Sequence, residues 1–596
     1  MSSDSISRAL SSIPAHLHQQ VEPIKEGFTS HITQQHNEES SPLLSVEVLC
    51  LFTTYTSTRL DTETHQELAS HLWLHQVQPQ VQQRHNIHIY AASQPESTQD
   101  AQRRLISTYY TAKVSANLPS IPDSCPSLIR SQAQGASRIY AIFGGQGNNK
   151  HYFNELRNIY QTYQPFLSDL ISDLDSLLQT LSQDPRISHL YPEGLQVKKW
   201  LEDSETTPSA DYLITAPLSF PLIGLLQLAT LKAISMSLDG TPADFPGIFQ
   251  GLAGHSQGVI VAAAVAATET WEDYAAATRK AVTILFWIGA RSQQVWRQHA
   301  LAEDIAARLE DEGHGKASPM LSISSMEQSQ LDSHLARLNR TLPAANRAYI
   351  SLVNSSSNFV VSGPERTLAA LISSLKAASA KDAQSQARVP YSQRKPSPTI
   401  RFLPITIPCH CPLLDEAVPL IDEDLRNLSI RASELRVPVN NCHKGSALKP
   451  LMGRVSGTTR SSSNLVPLLV RMITSEPVFW AETDFTAATH ILDFGPGGTS
   501  GVGALTHRNV AGAGVRVIIV GKLEKSNTAD SDLGSLYDVF SHDDDDDNAD
   551  PQQQRSSRAA DWATANSGSL VQTASGPVIA TKLSRLLGLP PSSSPA

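Results

Sequence analysis

Residues 248–267 read IFQGLAGHSQGVIVAAAVAA, and this stretch decides the fold of the surrounding chain. Ile248–Ala253 is a short apolar run typical of a buried strand, and Val259–Ala267 is an Ala/Val run typical of a buried helix. Between them stands Gly254-His255-Ser256-Gln257-Gly258, a Gly-x-Ser-x-Gly turn whose small residues allow a sharp change of direction. The turn exposes the serine oxygen at a helix N-terminus, where free N–H groups favour an oxyanion. The pattern predicts Ser256 as a nucleophile.

A nucleophilic serine needs a base, and the chain offers 20 His. His410 is our candidate because it follows a predicted strand, Thr399–Ile407, in the sequence Ile407-Pro-Cys-His-Cys-Pro. The flanking Cys409 and Cys411 raise the alternative of a metal site. Neighbouring residues of a strand point to opposite faces, however, and no second ligand pair has zinc spacing, so we expect no metal.

Two glycine-rich turns follow other predicted strands. Phe143-Gly144-Gly145-Gln146-Gly147-Asn148 ends the apolar run that begins at Arg138. It lacks the Lys-Ser/Thr of a P-loop and the spacing of a dinucleotide fingerprint. The alternatives are a plain turn, or a loop whose glutamine amide donates to an oxyanion or acyl oxygen. Asp493-Phe-Gly-Pro-Gly-Gly498 follows the strand at His490 and by itself indicates only a tight turn.

Composition narrows the class of protein. A chain of 596 residues is expected to form two or more domains. Its net charge of −10 and pI of about 6.1 argue against a nucleic acid or an anionic membrane as partner. The 5 scattered Cys favour a reducing compartment, and Met1–Pro14 lacks a secretory signal. The most apolar stretch, Ala216–Ser235, contains Gln227 and Lys232 and fits a buried helix better than a membrane span. We therefore expect a cytoplasmic protein.

The pattern of periodic and polar segments predicts an α/β core with an inserted subdomain. Between residues 319 and 407 the predicted order is β-α-β-β-α-β, which is ferredoxin-like. The predicted division is a disordered polar N-terminus (1–42), a helical region with a linker (43–137), the α/β core (138–318 and 396–525), the ferredoxin-like insertion (319–395), an acidic and polar linker (526–578) and a final apolar piece (579–596).

These motifs, in this order, resemble the acyl-CoA:acyl-carrier-protein transacylase fold. The closest resemblance is to the acetyltransferase domain at the N-terminus of the fungal type I fatty acid synthase β subunit, over about residues 40–525. The stretches that carry it are IFGGQGNNKHYFNELRNIYQTY (142–163), GHSQGVIVA (254–262), AVTILFWIGAR (281–291), SPMLSIS (318–324), ISLVNSSSNFVVSGP (350–364), RFLPITIPCHCPLL (401–414) and THILDFGPGGTSGVGALTHRN (489–509). The end of the chain, Thr581–Pro591, resembles the opening of the enoyl reductase domain that follows in that synthase.

The resemblance implies roles for individual residues. Ser256 would be the acylated nucleophile, and His410 would be a base oriented by main-chain carbonyls rather than by an Asp. Gln146 and the backbone N–H of Gln257 would stand at the oxyanion. The substrate site would be lined by Gly145, His255, Ile288 and Asn354.

One departure from the malonyl-transferring relatives bears on the substrate. Those proteins carry an Arg-Gly pair on the helix after the elbow, where the Arg binds the malonyl carboxylate. The corresponding pair here is Ile288-Gly289, and a buried carboxylate without a partner costs several kcal/mol. We therefore expect an acyl group without a free carboxylate. Arg291, three residues on, would reverse this expectation if the register slipped.

The resemblance implies an acyl-carrier-protein S-acetyltransferase of fatty acid synthesis. It would move acetyl from CoA through an acyl-serine to the phosphopantetheine thiol of an acyl carrier protein, without a bound cofactor. Other fatty acid synthase subunits or domains would be partners. The alternatives are a starter-unit transacylase of a secondary-metabolite synthase, an acyl-thioester hydrolase that shares the Gly-x-Ser-x-Gly turn, and a degenerate remnant that only assists assembly.

Overall fold

The computed structural model describes residues 2–35, 43–94, 98–121, 125–147, 150–296, 301–379, 397–440, 464–523 and 533–541. Residues 1–511 and 515–541 form one compact unit, and 512–514 group with 542–596 as a second. The predicted piece at 579–596 and most of the predicted linker at 526–578 lie outside the described residues.

Ten strands of the described chain form two sheets, and their ranges are β1 (Ile139–Phe143), β2 (Phe249–Gly254), β3 (Met320–Ser324), β4 (Tyr349–Ser355), β5 (Asn358–Ser362), β6 (Thr399–Phe402), β7 (Val439–Asn440), β8 (His490–Asp493), β9 (Arg516–Ile519) and β10 (Gly534–Ser535). The larger sheet is parallel, in the order β10-β9-β8-β1-β2-β7. Phe143 pairs with Gly254, and Ile142 pairs with Asp493. Since parallel strands end at one edge of the sheet, the three motif turns that follow β1, β2 and β8 lie side by side.

Helices cover both faces of this sheet and form the N-terminal region. In the described chain they are α1 (Ser2–Leu10), α2 (Ala15–Gln35), α3 (Ser45–Thr56), α4 (Thr62–Leu72), α5 (Gln78–Gln82), α6 (Ile87–Ala92), α7 (Gln99–Ser115), α8 (Ser127–Ala133), α9 (Tyr152–Thr162), α10 (Gln164–Ser182), α11 (Val197–Glu202), α12 (Ala210–Leu213), α13 (Ala216–Ser237), α14 (Phe245–Ile248), α15 (Gly258–Ala266), α16 (Trp271–Val295), α17 (Glu303–Asp311), α18 (Gln328–Asn339), α19 (Glu365–Ala378), α20 (Val418–Asp424), α21 (Val466–Thr474), α22 (Val502–Asn509) and α23 (Leu536–Phe540). Between Tyr152 and Ser182 the chain forms two helices, α9 and α10, because it breaks at Tyr163 before Pro165.

The helix α13 is the central apolar element of the core. By length and composition this helix could cross a membrane. However, 89% of its most apolar 18-residue segment is buried inside the protein. It packs closely against α16, since a Cβ added at Gly224 would lie 2.3 Å from Leu285 Cδ1. As predicted, this stretch is a buried helix.

The inserted subdomain has the predicted ferredoxin-like order, β3-α18-β4-β5-α19-β6. Its antiparallel sheet runs β4-β5-β3-β6, with a separate apolar core that includes Leu321, Phe359 and Leu371. The predicted end at residue 395 is too early, because β6 pairs with β3 through Phe402 and Leu321. The subdomain therefore extends to residue 402.

The prediction of disorder over residues 1–42 is wrong for most of that segment. The helices α1 and α2 fill Ser2–Leu10 and Ala15–Gln35. Leu17, Val21 and Phe28 recur at helical spacing in α2, and all three are buried. The surrounding Gln, His and Ser residues obscure this narrow apolar stripe in the sequence.

Part of the predicted acidic linker also belongs to the core. Residues 533–541 add β10 to the edge of the parallel sheet and continue as α23. Phe540 is buried and stacks on His88 with ring centroids 3.9 Å apart, and its carbonyl accepts from Asn86 Nδ2 at 2.9 Å. The segment therefore joins the N-terminal helical region to the sheet.

We expect Phe540→Ala to lower the free energy of unfolding by about 3–5 kcal/mol, because it removes a buried ring and leaves a cavity. Chemical denaturation measures this change. The control is Leu468→Ala at a side chain 38% exposed, which should change stability by no more than about 0.5 kcal/mol. Equal effects of the two substitutions would show that α23 does not pack as described.

Candidate active site

The predicted strand–turn–helix around Ser256 is present, between β2 and α15. Ser256 has φ +54°, a left-handed conformation that costs a non-glycine residue roughly 1–3 kcal/mol and persists where surrounding contacts enforce it. Those contacts are close. A Cβ added at Gly258 would lie 2.2 Å from the Phe143 carbonyl oxygen, and one at Gly254 would lie 2.0 Å from the Val259 nitrogen. Only glycine fits at positions 254 and 258 of the turn.

His410 lies within hydrogen-bond distance of Ser256, with Nε2 2.7 Å from Ser256 Oγ. Its Nδ1 faces two main-chain carbonyl oxygens, of Met472 at 2.8 Å and of Glu476 at 3.0 Å. Because a carbonyl oxygen only accepts, Nδ1 must carry the proton, and the Nε2 lone pair is left to face the serine hydroxyl. Two main-chain carbonyls therefore orient the imidazole so that Nε2 can accept a proton.

Two residues that line a cavity together with Ser256, Gln146 and Gln257, have backbone N–H groups available. Gln257 caps α15, so its N–H is one of the groups a helix leaves without an internal acceptor. Within the described chain, neither the Gln257 N–H nor the Gln146 N–H has a hydrogen-bond acceptor. The Gln146 side chain is engaged elsewhere, since its Nε2 donates to Ser219 Oγ and to the Ile214 carbonyl. The geometry thus offers the main chain of Gln146, rather than its amide, to an oxyanion.

A buried side chain that the sequence analysis did not assign to the site ties two of the motif turns together. Gln227 Nε2, on the apolar helix α13, donates to the carbonyls of Gly144 and Gly495, each at 2.7 Å. The Gly144 N–H also donates to Gly495 O at 2.9 Å. Gln227 is the one amide side chain in this largely apolar helix, and this is the sequence signal that could have identified it.

His255 connects the elbow to the ferredoxin-like subdomain. Its Nε2 lies 2.8 Å from Asn354 Oδ1, and Asn354 Nδ2 donates to Asn358 Oδ1 at 3.1 Å. Burial lowers the pKa of His255, so the ring is neutral near pH 7 and donates from Nε2. Gly145 lies against the elbow, because a Cβ there would stand 2.9 Å from Ser256 Cβ.

A cavity of about 210 Å³ opens at the serine and histidine. Predicted site residues that line it are Gln146, His255, Ser256, Gln257, Asn354 and His410. Apolar side chains complete the wall, among them Phe220, Met320, Leu403 and Ile405. Of the described residues that line this cavity, Arg508 alone carries a permanent charge, and its side chain is exposed.

Ile288 does not meet the expectation that it lines the substrate site. It is completely buried in α16 and is absent from the described lining of the cavity. The neighbouring Arg291 is engaged elsewhere, with Nε 2.6 Å and Nη2 3.1 Å from the carboxylate of buried Asp424. A slip of register to Arg291 therefore does not place a cation at Ser256.

The cysteines beside His410 point away from a common ligand site. Cys409 lines the cavity, whereas Cys411 Sγ lies 3.2 Å from the Pro408 carbonyl. Burial raises the pKa of both thiols, to about 12 for Cys411. In the described ranges, no group of three His, Cys, Asp or Glu side chains could hold a metal ion.

The second glycine turn depends on a buried carboxyl group at the end of β8. Asp493 is fully buried and accepts from the N–H groups of Gly495 at 2.9 Å and Gly503 at 2.8 Å. Burial raises the pKa of Asp493 to about 7, with a smaller contribution from the charge of Glu155, although the two hydrogen bonds oppose the rise.

We expect Gly258→Ala to destabilise the protein by about 1–3 kcal/mol and to disrupt the elbow, because its Cβ overlaps the Phe143 carbonyl. Thermal unfolding measures the loss. Gly247→Ala is the matched control, since an added Cβ there meets nothing within 4 Å. A Gly258→Ala protein as stable as the control would contradict the close approach of β1 to the elbow.

A second prediction concerns pH. Because the native pKa of Asp493 is about 7 against an ordinary 3.8, the folded protein binds a proton between these values that the unfolded chain lacks. This contribution to stability is therefore lost as pH rises from about 4 to about 7, by about 4 kcal/mol in total. Asp493→Asn should lack it, so the wild-type advantage shrinks across that window in urea titrations. Parallel stability curves for the two proteins would disprove this.

The sequence has relatives over most of its length. Residues 141–396 match the model of a family described as starter unit:ACP transacylase in aflatoxin biosynthesis. Fatty acid synthase subunit beta of Saccharomyces cerevisiae is 37% identical over 513 residues, which cover 85% of this chain and 24% of that protein. Fatty acid synthase beta subunit TOXC of Cochliobolus carbonum is 36% identical over 558 residues, covering 93% and 26%. The chain thus spans about a quarter of the length of these relatives.

Among solved structures, an acyl-carrier-protein S-malonyltransferase from Burkholderia pseudomallei matches with a TM-score of 0.41 and 19% identity, covering 63% of this chain and 94% of that one. The acyltransferase domain of the second module of the salinomycin polyketide synthase matches with a TM-score of 0.40 and 14% identity, covering 73% and 80%. On the sequence matches, residues 141–396 are similar to the starter unit:ACP transacylase family, and the chain is a homologue of the fungal fatty acid synthase β subunits over about a quarter of their length.

Proposed function

We propose that this chain is an acyl transferase that moves an acyl group without a free carboxylate, acetyl in the first instance, from CoA to the phosphopantetheine thiol of an acyl carrier protein. The observation that carries the proposal is the 2.7 Å contact between Ser256 Oγ and His410 Nε2 inside a cavity. The family match and the fungal relatives support the same activity.

The reaction follows from the tautomer of the histidine. His410 Nε2 takes the proton of Ser256 Oγ as that oxygen attacks the thioester carbon. The N–H groups of Gln257 and Gln146 receive the oxyanion of the tetrahedral intermediate. Collapse expels the CoA thiolate, which takes the proton from His410. The carrier thiol then gives its proton to His410 and attacks the acyl carbon of the acyl-serine. Collapse of this second tetrahedral intermediate breaks the bond to Ser256 Oγ, which takes the proton back from His410.

The lining of the cavity supports an acyl group that ends in carbon rather than in a carboxylate. A malonyl carboxylate held inside would need a buried cation, since an unpaired buried charge costs several kcal/mol. The only permanent cation in the described lining is the exposed Arg508. Arg291 is paired with Asp424 instead. The support therefore comes from the lining as a whole and not from Ile288.

Hydrolysis of acyl thioesters is the rival activity, because it uses the same nucleophile. Histidine in such hydrolases is usually oriented by an acid that lies between Ser and His in the chain. Here two carbonyl oxygens, of Met472 and Glu476, hold the ring, and both lie after His410 in the chain. Use of the transferred acyl group in secondary metabolism stays open as an alternative, since the matched family model is named for aflatoxin biosynthesis.

The proposal extends to partners and location. The acceptor would be an acyl carrier protein, other subunits or domains of a fatty acid synthase would surround the chain, and the complex would be cytoplasmic. The cysteines of the described ranges are free thiols, which agrees with a reducing compartment.

Incubation with radiolabelled acetyl-CoA should label the wild-type protein covalently at Ser256, and Ser256→Ala should retain no label. His410→Gln should slow labelling by about 10²–10⁴-fold, because it removes the base while keeping a polar side chain. Ser333→Ala, at an exposed serine of α18, serves as the control and should label as the wild type does.

Covalent label on the Ser256→Ala protein would disprove the nucleophile. Release of free acetate faster than transfer to a carrier protein would favour the hydrolase instead.

A further inference from the structure

A second and larger cavity, of about 640 Å³, adjoins the one at Ser256. The two cavities share Leu403 and Ile405 as lining residues. These two side chains therefore stand between the reacting serine and the second cavity. The neighbouring side chains of the second cavity include Ile214, Ala317 and Phe402.

The register of the ferredoxin-like sheet shows on which side of the serine this second cavity lies. At one end of the sheet Ser324 pairs with Asn358 and with Thr399, and Asn354 stands nearby on β4. At the other end Leu321 pairs with Phe402, which leads directly into Leu403. The polar amides of the site and the Leu403–Ile405 segment are thus at opposite ends of the sheet.

This arrangement orients a bound thioester. The pantetheine arm carries amide groups, which match the hydrogen-bonding side chains of His255, Asn354 and Asn358. With the arm at that end and the thioester at Ser256, the acyl group extends towards Leu403 and Ile405. The apolar neighbours Phe220 and Met320 suit the methyl end of such a group.

The segment is held firmly from both sides. The Leu403 N–H donates to Met320 O at 2.9 Å, and Ser318 Oγ donates to Leu403 O at 2.6 Å. Thr406 Oγ1 accepts from the Ala216 N–H at 3.0 Å and donates to Gln293 Oε1 at 2.5 Å. The segment Leu403–Ile405 therefore joins the ferredoxin-like subdomain to the core helices, and these hydrogen bonds hold its main chain in place.

Beyond Leu403 and Ile405, the lining of the second cavity contains both apolar and charged side chains. Phe402 is buried, and Ile214, Leu301 and Ala317 are half-buried. Of the charged lining residues, Glu365 is buried, and the others are exposed: Lys150, Asp211, Glu310, Lys316 and Arg401. The part next to the wall accordingly has the surface that a chain of methylene groups would contact.

We propose that Leu403 and Ile405 form the wall that limits the length of the acyl group on Ser256, and that the cavity behind them accepts the distal methylenes of longer straight-chain acyl groups once the wall is shortened. This inference rests on the proposed function, since it assumes an acyl-serine at Ser256. It assigns the native protein to short, unsubstituted monocarboxylic acyl groups.

Leu403→Ala is the decisive variant, because Leu403 is only half-buried and its loss is better tolerated than that of the buried Ile405. Intact-mass spectrometry would follow acyl-enzyme formation from acetyl-, butyryl-, hexanoyl- and octanoyl-CoA. The octanoyl-to-acetyl rate ratio should rise by at least about 10-fold in Leu403→Ala, and further when Ile405→Val is added. Leu403→Phe should lower the butyryl-to-acetyl ratio, since it narrows the same passage.

Leu301→Ala is the matched control, because Leu301 is also half-buried and lines only the second cavity. It should leave every ratio unchanged. A Leu403→Ala protein that loads acetyl normally with an unchanged octanoyl ratio would overturn the wall, as would a wild type that loads octanoyl as fast as acetyl. A wild type that forms no adduct at Ser256 with any of the thioesters would instead overturn the proposed function, and the wall with it.

Discussion

The site depends on close contact between main chains at the carboxyl edge of the parallel sheet. The elbow packs against the end of β1 so tightly that Gly258 leaves no room for a Cβ beside the Phe143 carbonyl. The turn after β8 reaches the same place, and its Gly495 carbonyl accepts from Gly144. With side chains absent from these contacts, the positions of the three turns follow directly from the positions of their strands.

Backbone groups also stand at positions of the site where many serine enzymes use side chains. Two carbonyl oxygens fix the tautomer of His410, and the N–H groups of two cavity-lining residues, Gln146 and Gln257, have no acceptor within the described chain. Such groups need no particular side chain, but they need a fixed main chain. Gln227 contributes to that rigidity from inside α13, where its amide reaches two of the turns at once.

This reliance on backbone explains what the sequence could and could not predict. The strand, elbow and helix around Ser256 were predictable because they are local and leave a pattern of glycines and apolar runs. The main-chain carbonyls of Met472 and Glu476 produce no sequence pattern, because any residue type could supply them. The expectation that Ile288 lines the substrate site failed because it rested on a family pattern and not on contacts. The helices α1 and α2 were missed because tertiary packing outweighs their polar composition. The strand at Gly534 was missed because it is two residues long and follows a polar stretch.

The lining of the cavity at Ser256 has an electrostatic consequence. None of the described residues that line the cavity is an Asp or Glu. In the proposed reaction, a thiolate that leaves this cavity therefore meets no carboxylate among the described lining residues, and neither does one that arrives. Protonated His410 would balance either thiolate in the same way. Such a site would equilibrate an acyl group between two thiols, and their concentrations would set the direction of net flow.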